Sequence, residues 1–256
     1  MKPVHTRLDN LKLLDDRDAA ILDGLLGNVA ERVAGEIVQA ERAPVDTTRI
    51  LLSGWAVRFQ TRRDGTRQIL NFLLPGDTVG LYGALFPASD SGVELITDCR
   101  LAEFPCDELL QVFQQSARLG AALCWIGGQD ERHLEQQILR IGVMNATSRI
   151  AHLLVELQRR LMNAGAAPAE AMTMPLTQKL IAEALGLSAV HVNRCCRALE
   201  RRGLVETGPG AFTLLDPEGL KRTCDYERHF TRDEAIPAGA ARKLGAQPQG
   251  PNPSSR

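Results

Sequence analysis

The chain has 256 residues, 44% of them hydrophobic, which is enough for one large or two modest domains with a sizeable core. Thirty Lys+Arg against 31 Asp+Glu leave a formal charge of −1, so the chain is neither strongly basic nor strongly acidic, and any surface for a polyanion has to be local. No apolar run reaches the roughly 18 residues of a membrane-spanning helix, and Met1 to Arg7 lack the apolar centre of a signal peptide, so the expected location is the cytoplasm.

A polar leader precedes a short helical pattern around Asp16 to Leu26, with Ile21, Leu22, Leu25 and Leu26 on one face. From about Arg32 to Phe104 the pattern becomes short β-rich runs at 49–52, 56–60 and 68–74, which suggests a barrel or sandwich. Asp64-Gly65 between two of them predicts a hairpin with a type I′ turn, and Pro75-Gly76-Asp77 marks the next break. From Pro105 to about Met162 the strand signals vanish. Leu119, Leu123 and Ile126, then Leu134, Ile138 and Ile141, recur at helical spacing and predict a long helix whose apolar seam forms a coiled-coil homodimer contact. Gly127-Gly128 in its middle predicts a kink or a close approach of two backbones, with Trp125 beside them in the dimer interface. Asn145-Ala146-Thr147 reads as a hinge into a second helix, Ser148 to Leu161, with Ile150, Leu153, Leu154 and Leu157 facing one way. Ala164 to Ala171 reads as a linker, and Ile236 to Arg256, rich in Pro, Gly, Ala and Ser, as a disordered tail.

The segment from Leu176 to Val205 is the most informative. Thr177 can cap a helix, with Leu176 and Ile181 at the two positions of a hydrophobic staple. That helix should end at Gly186, and Ser188 should cap the next one. Two helices joined by a tight glycine turn form a helix-turn-helix. In the second helix Val192, Cys195 or Cys196, and Leu199 fall on a buried face, whereas Val190, Asn193, Arg194, Arg197 and Arg201 fall on the other. Between Ser188 and Gly203 four arginines oppose one glutamate, Glu200, which supplies the local positive charge that the whole-chain sum conceals. Such a helix fits the major groove, where Arg can bond guanine and Asn adenine, and capped helix N-termini can hold phosphates. The competing reading is a solvated arginine face on an ordinary helical hairpin. Leu204 to Thr207, the turn Gly208-Pro209-Gly210 and Ala211 to Leu215 add a small β-hairpin, and the sum is a winged helix.

With Leu185-Gly186-Leu187-Ser188, Val192-Asn193-Arg194 and Leu199-Glu200-Arg201-Arg202-Gly203-Leu204-Val205 in this order, the chain resembles the Crp/Fnr family of bacterial transcription regulators over nearly all its length except the tail. The resemblance implies an α+β fold with an antiparallel, cyclic-nucleotide-binding-like β-barrel at residues 1–114, a dimerisation helix at 115–144, a winged helix at 145–235 and the tail at 236–256. It also implies a homodimer on an inverted-repeat DNA site, with RNA polymerase as a further partner and no catalytic step. Arg194 becomes the base-reading arginine, while Thr177, Ser188 and Arg197 fall where family members hold phosphates. Gln178, Ala189, Val190, His191 and Asn193 complete the expected DNA-facing set. Where the cyclic-AMP-responsive members carry Arg and Glu at the start of the recognition helix, this chain has Ala189 and Val190, so its operator should differ, with Val190 suited to a thymine methyl.

The sensor region departs further. Where nucleotide-binding members hold the ribose with Gly-Glu and the cyclic phosphate with Arg-Ser, this chain has Gly80-Leu81 and Ser89-Asp90, with no arginine between Arg67 and Arg100. A buried phosphate would be poorly compensated, so no cyclic-AMP binding is expected and the effector, if one exists, is unassigned. The six cysteines, at 99, 106, 124, 195, 196 and 224, are read as reduced thiols and mainly as small buried hydrophobes. None precedes Cys99, which argues against an Fnr-like N-terminal iron–sulfur cluster. Cys106, after Pro105 at a predicted helix start, is the candidate redox-sensitive thiol, against a quiet structural role. His191 and Cys195 supply at most half a metal site, and no metal or cofactor is assigned. The alternative function is a ligand-binding or protein-interaction module whose winged helix docks a protein rather than DNA.

Overall fold

The structure is a computed structural model that describes residues 3–9, 11, 13–83, 85, 86, 88–165, 172–226, 236 and 238–244. Helices α1 (Pro3–Asp9) and α2 (Asp16–Leu25) precede strands β1 (Val29–Arg32), β2 (Ile37–Gln39), β3 (Thr47–Ser53), β4 (Ala56–Thr61), β5 (Arg67–Leu73), β6 (Thr78–Val79), β7 (Gly92–Leu95) and β8 (Cys99–Pro105). Helices α3 (Cys106–Gln115), α4 (Ala117–Val143) and α5 (Ala146–Asn163) lead to β9 (Met172–Met174), α6 (Gln178–Leu185) and α7 (Ala189–Arg201). Strands β10 (Val205–Gly208) and β11 (Ala211–Leu214) and helices α8 (Pro217–Cys224) and α9 (Ala238–Lys243) follow.

The predicted runs at 49–52, 56–60 and 68–74 are β3, β4 and β5. They pair into two antiparallel sheets, β1-β8-β3-β6 and β2-β7-β4-β5, so the expected barrel is an open two-sheet sandwich among the described residues. Strand alternation divides the side chains among three layers. Leu51, Ala56, Leu73, Val79, Leu95 and Leu101 fill the space between the sheets. Ile50, Leu52, Ala102 and Phe104 on one outer face are covered by α1 to α4. Trp55, Val57, Phe59, Ile69 and Phe72 on the other share a core with the winged helix of the same chain.

The β4–β5 hairpin is present, but its turn is not type I′. Gly65 has φ 81° while Asp64 keeps a negative φ, and Gly65 N–H donates to Arg62 O at 3.0 Å. Asp64 Oδ1 accepts from Thr66 N–H at 2.9 Å, and the turn closes on the left-handed Gly65.

Helix α4 runs unbroken in its hydrogen bonding through Gly127-Gly128. The close approach at Gly127 is to a side chain rather than a backbone: a methyl there would overlap the Tyr82 hydroxyl. The predicted seam also divides. Leu119, Leu123 and Ile126 are buried within the chain's own core, whereas Leu134 and Ile138 are exposed. Trp125 is half-buried against that same core, with the Arg7 guanidinium 6.0 Å from its ring centre.

The polar leader is folded as α1, because Val4 and Leu8 on one helical face are fully buried. Part of the expected disordered tail is folded too: α9 forms at 238–243, and Ile236, Ala241 and Leu244 pack against the core that holds α1. Residues 245–256, and 166–171 of the expected linker, lie outside the described residues. The predicted second helix is α5, capped by Asn145, whose side chain accepts from Ser148 N–H at 3.0 Å. Strand β9 adds a third member to the wing sheet, in the order β10-β11-β9.

Candidate nucleic-acid interface and sensor pocket

The helix-turn-helix is built by local chemistry. Thr177 Oγ1 accepts from Leu180 N–H at 3.1 Å, and the staple pair Leu176 and Ile181 is fully buried. Gly186, at φ 62°, ends α6 in the left-handed conformation that glycine tolerates, and Ser188 Oγ accepts from His191 N–H at 3.2 Å to start α7. Val192, Cys195, Cys196 and Leu199 are all buried, so both cysteines serve as packing residues. Burial pushes the Cys196 thiol up to about 12, which keeps it a thiol.

The outer face of α7 is open. Val190 is 82% exposed, and Ala189, Arg194, Arg197 and Arg201 are exposed with it, as are Thr177 and Ser188. His191 is half-buried. Asn193 and Gln178, also half-buried, are joined to each other: Asn193 Nδ2 donates to Gln178 Oε1 at 3.1 Å and ties the two helices together. Glu200, the one carboxylate on α7, is turned away from this face, since its Oε1 accepts from the Thr207 backbone at 3.0 Å and from the Thr207 hydroxyl in the wing. The outward side chains of α7 are therefore cationic or neutral, and two capped helix N-termini stand beside them.

Within the sandwich, a cavity of about 570 Å³ lies between the β2-β7-β4-β5 sheet, residues 80–91 and α4. Residues 84 and 87 of that segment lie outside the described residues. The expectation that no cation reaches this region is corrected by Arg58, which β4 turns inward while Val57 and Phe59 face the winged helix. Arg58 is already engaged, by Asp130 at 3.4 Å and the Thr78 carbonyl at 3.2 Å. Backbone donors along the segment are engaged as well. The N–H groups of Gly83, Leu85 and Phe86 bond the Gly80 and Tyr82 carbonyls, and that of Ser89 bonds Ala43 O. Cys106 sits buried behind Gly83 and receives a hydrogen bond from Thr48 Oγ1 at 3.3 Å.

A buried ionic network fastens the two halves together. Arg160 on α5 donates to Phe72 O at 2.8 Å, Asn71 Oδ1 at 3.0 Å and Asp77 Oδ2 at 2.7 Å, and Arg7 on α1 bonds the other Asp77 oxygen. Burial opposes ionisation of Asp77, but Arg160 and Arg7 outweigh it and hold the carboxyl well below its usual range. Arg140 on α4, 1% exposed, pairs with Glu156 and donates to His152 Nδ1 at 3.2 Å. The orphan carbonyl of Ala184 at the end of α6 accepts from Gln68 at 3.0 Å and from Gln137, and that of Leu185 from Arg149 at 3.3 Å. Sequence reading named Asp77 only as part of a turn and gave none of these residues its bonding role. The available signal was a polar stripe, His152, Glu156 and Arg160 at i, i+4 and i+8, beside the apolar Ile150, Leu153, Leu154 and Leu157 of the same helix.

These parts define a two-domain protein in which a cyclic-nucleotide-binding-type sandwich is bolted to a winged helix. Family models for a Crp-like helix-turn-helix domain match residues 148–223, and for a cyclic nucleotide-binding domain residues 31–116. The transcriptional activator protein FnrL of Cereibacter sphaeroides is 30% identical over 177 residues, 67% of this chain and 70% of that protein. The nitrogen fixation regulation protein FixK of Bradyrhizobium diazoefficiens is 26% identical over 75% of this chain and 80% of its own. The structure of FixK2 from Bradyrhizobium japonicum superposes with a TM-score of 0.69 at 25% identity, covering 77% of this chain and 96% of that one. The chain belongs to the Crp/Fnr family of helix-turn-helix transcription regulators. Among the described residues, no helix is long and apolar enough to cross a membrane.

Proposed function

We propose that this regulator binds an inverted-repeat operator as a homodimer, each α7 lying in a major groove with half-sites about one helical turn apart. Arg194 reads a base edge, and Thr177, Ser188 and Arg197 contact phosphates. Gln178, Ala189, Val190, His191 and Asn193 border the bases, with Asn193 released from Gln178 when DNA offers a better partner. The observation that carries this reading is Glu200, turned to the wing so that the outer face of α7 holds arginines without a carboxylate. The dimer face is the exposed side of α4 through Cys124, Gly128 and Ile138, small or apolar residues that the chain's own core leaves uncovered. The unit boundaries follow: sensor sandwich to residue 114, dimer helix to 144, winged helix to 235.

The sensor pocket does not take cyclic AMP, because Arg58, the one cation among its described lining residues, is held by Asp130, and the backbone amides of Gly83, Leu85, Phe86 and Ser89 already bond backbone carbonyls. No catalytic step is assigned. The protein acts in the cytoplasm, where DNA and RNA polymerase are its partners, and it switches by loosening the contacts that hold α5 and α6 to the sandwich. The test is selection of genomic DNA fragments by the purified protein at near-physiological salt, since phosphate contacts alone mimic binding at low salt. An enriched inverted repeat is expected. Arg194→Ala should weaken that site by about 1–3 kcal/mol, roughly 5- to 150-fold, with folding unchanged. Absence of enrichment with wild type, with or without pocket ligands, would instead favour docking of a protein partner.

A further inference from the structure

We propose that the sensor cavity binds an organic cation with an aromatic or apolar body. The proposal rests on the reading above that the pocket is not a cyclic-nucleotide site, and it names the ligand class that replaces one. At about 570 Å³ the cavity is of small-molecule size, within the roughly 300–1,000 Å³ typical of such sites. Its wall mixes aliphatic with polar and charged side chains, and Tyr82 and Phe86, 47% and 61% exposed, offer aromatic surface that no described residue covers fully. The charges have one sign in excess: Arg58 is set against Asp90, Asp130 and Glu131, and Arg58 is already bonded to Asp130. An anion entering here meets surplus carboxylates and a guanidinium that is taken, whereas an ammonium meets ionic partners and aromatic faces.

Gln39 supplies an independent observation. It lines the same cavity and is 7% exposed. Its Nε2 donates to the Ala40 carbonyl at 3.1 Å, which fixes the amide orientation, and its Oε1 receives no donor among the described residues. That oxygen is open to the cavity and can accept a hydrogen bond from a ligand that brings a donor. The ligand is organic rather than a metal ion, because among the described residues no three His, Cys, Asp or Glu side chains are grouped to hold a metal. Burial raises the Asp130 carboxyl against the pull of Arg58, so added positive charge in the cavity favours its ionised form.

The test uses the full-length protein without DNA and three probes sharing one ring: tryptamine, 3-ethylindole and indole-3-propionate, titrated by calorimetry, with cyclic AMP as competitor. Tryptamine should bind about tenfold or more tightly than 3-ethylindole, and indole-3-propionate more weakly than either. Asp130→Asn and the exposed-site variant Glu131→Gln should each lower tryptamine affinity about five- to tenfold and leave 3-ethylindole unaffected. Glu131→Gln keeps the test valid should Asp130→Asn fail to fold. Equal binding of amine and carboxylate, failure of all three probes, or variants that leave the preference intact would overturn the proposal. Displacement of tryptamine by cyclic AMP would overturn the reading of the pocket on which it rests. Operator binding is measured separately, so its failure does not bear on this result.

Discussion

The substitution His152→Asn should flatten the dependence of stability on pH between 8 and 5. The ring lies 1% exposed on α5, and Arg140 Nε donates to its Nδ1 at 3.2 Å, an interaction that a neutral imidazole accepts and an imidazolium cannot. Burial, and next the Arg140 charge, pull its pKa from 6.5 down to about 4. In the unfolded chain the ring titrates near its ordinary value, so between pH 4 and 6.5 the unfolded state binds more protons than the folded one. The contribution is therefore complete above the unfolded value and is lost as pH falls through this window. At pH 5 the two values correspond to about 2 kcal/mol lost relative to pH 8. Glu156 and Asp77, with lowered pKa values, lose their contributions as pH falls through the carboxylate range, which leaves the window from pH 8 to 5 mainly to histidines. His133, pulled to about 3 by burial and then by Arg160, adds to the slope in both proteins. The asparagine side chain of the variant would keep an oxygen acceptor for Arg140 without a titrating group. With a urea slope of about 2 kcal/mol/M, the wild-type midpoint should drop about 1 M more than the variant's on going from pH 8 to pH 5. Equal drops, or a folded-state His152 titrating near 6.5 by NMR, would refute the reasoning.

Three further outcomes follow from the packing. Arg160→Met leaves Asp77 buried with Arg7 alone and removes the bonds to Asn71 and Phe72, so urea unfolding should lose about 3–5 kcal/mol, with faster proteolysis near residues 144–146. Gly127→Ala should destabilise the wild type by displacing Tyr82, but stabilise a Tyr82→Ala background by about 1 kcal/mol through helix propensity; thermal unfolding of the four proteins of the cycle reads the change of sign. Cys124 is the exposed cysteine and lies on the proposed dimer strip, so mild oxidation should give a covalent dimer on non-reducing gels that is absent in Cys124→Ser.

What was legible in the sequence depended on how far a residue's role reaches along the chain. Thr177, Gly186 and Ser188 act on backbone groups within a few residues, so their roles could be read from spacing and all three caps are present. The same local logic placed β3, β4 and β5, yet misjudged the turn at Asp64, because a side-chain bond to Thr66 N–H selected the conformation. The apolar seam of α4 was visible, but not its division, since periodicity does not say whether an apolar face meets α1 and α2 of its own chain or another molecule. Arg58 was invisible for a related reason. In an alternating strand its charge signals the solvent side, and here neither side of β4 faces solvent: Val57 and Phe59 are buried in the core shared with the winged helix, and Arg58 lines the cavity.

If the cavity binds the proposed ligand, the double coverage of β4 would give that ligand a physical route to the winged helix. Val57 and Phe59 belong to the core shared with α5 and α6, while Arg58 between them faces the cavity and Asp130. Helix α4 repeats the arrangement along its length: Asp130 meets the cavity, and Gln137 and Arg140, two and three turns further on, hold the end of α6 and Glu156 of α5. On the proposed reading, a ligand that draws Asp130 away from Arg58 would act on α4, which bonds the end of α6, and on β4, which pairs with the β5 strand that packs on α6. Packed interfaces of this kind change between discrete arrangements rather than by small continuous deformation. The ligand's differential affinity for the docked and released arrangements then sets how far the equilibrium moves.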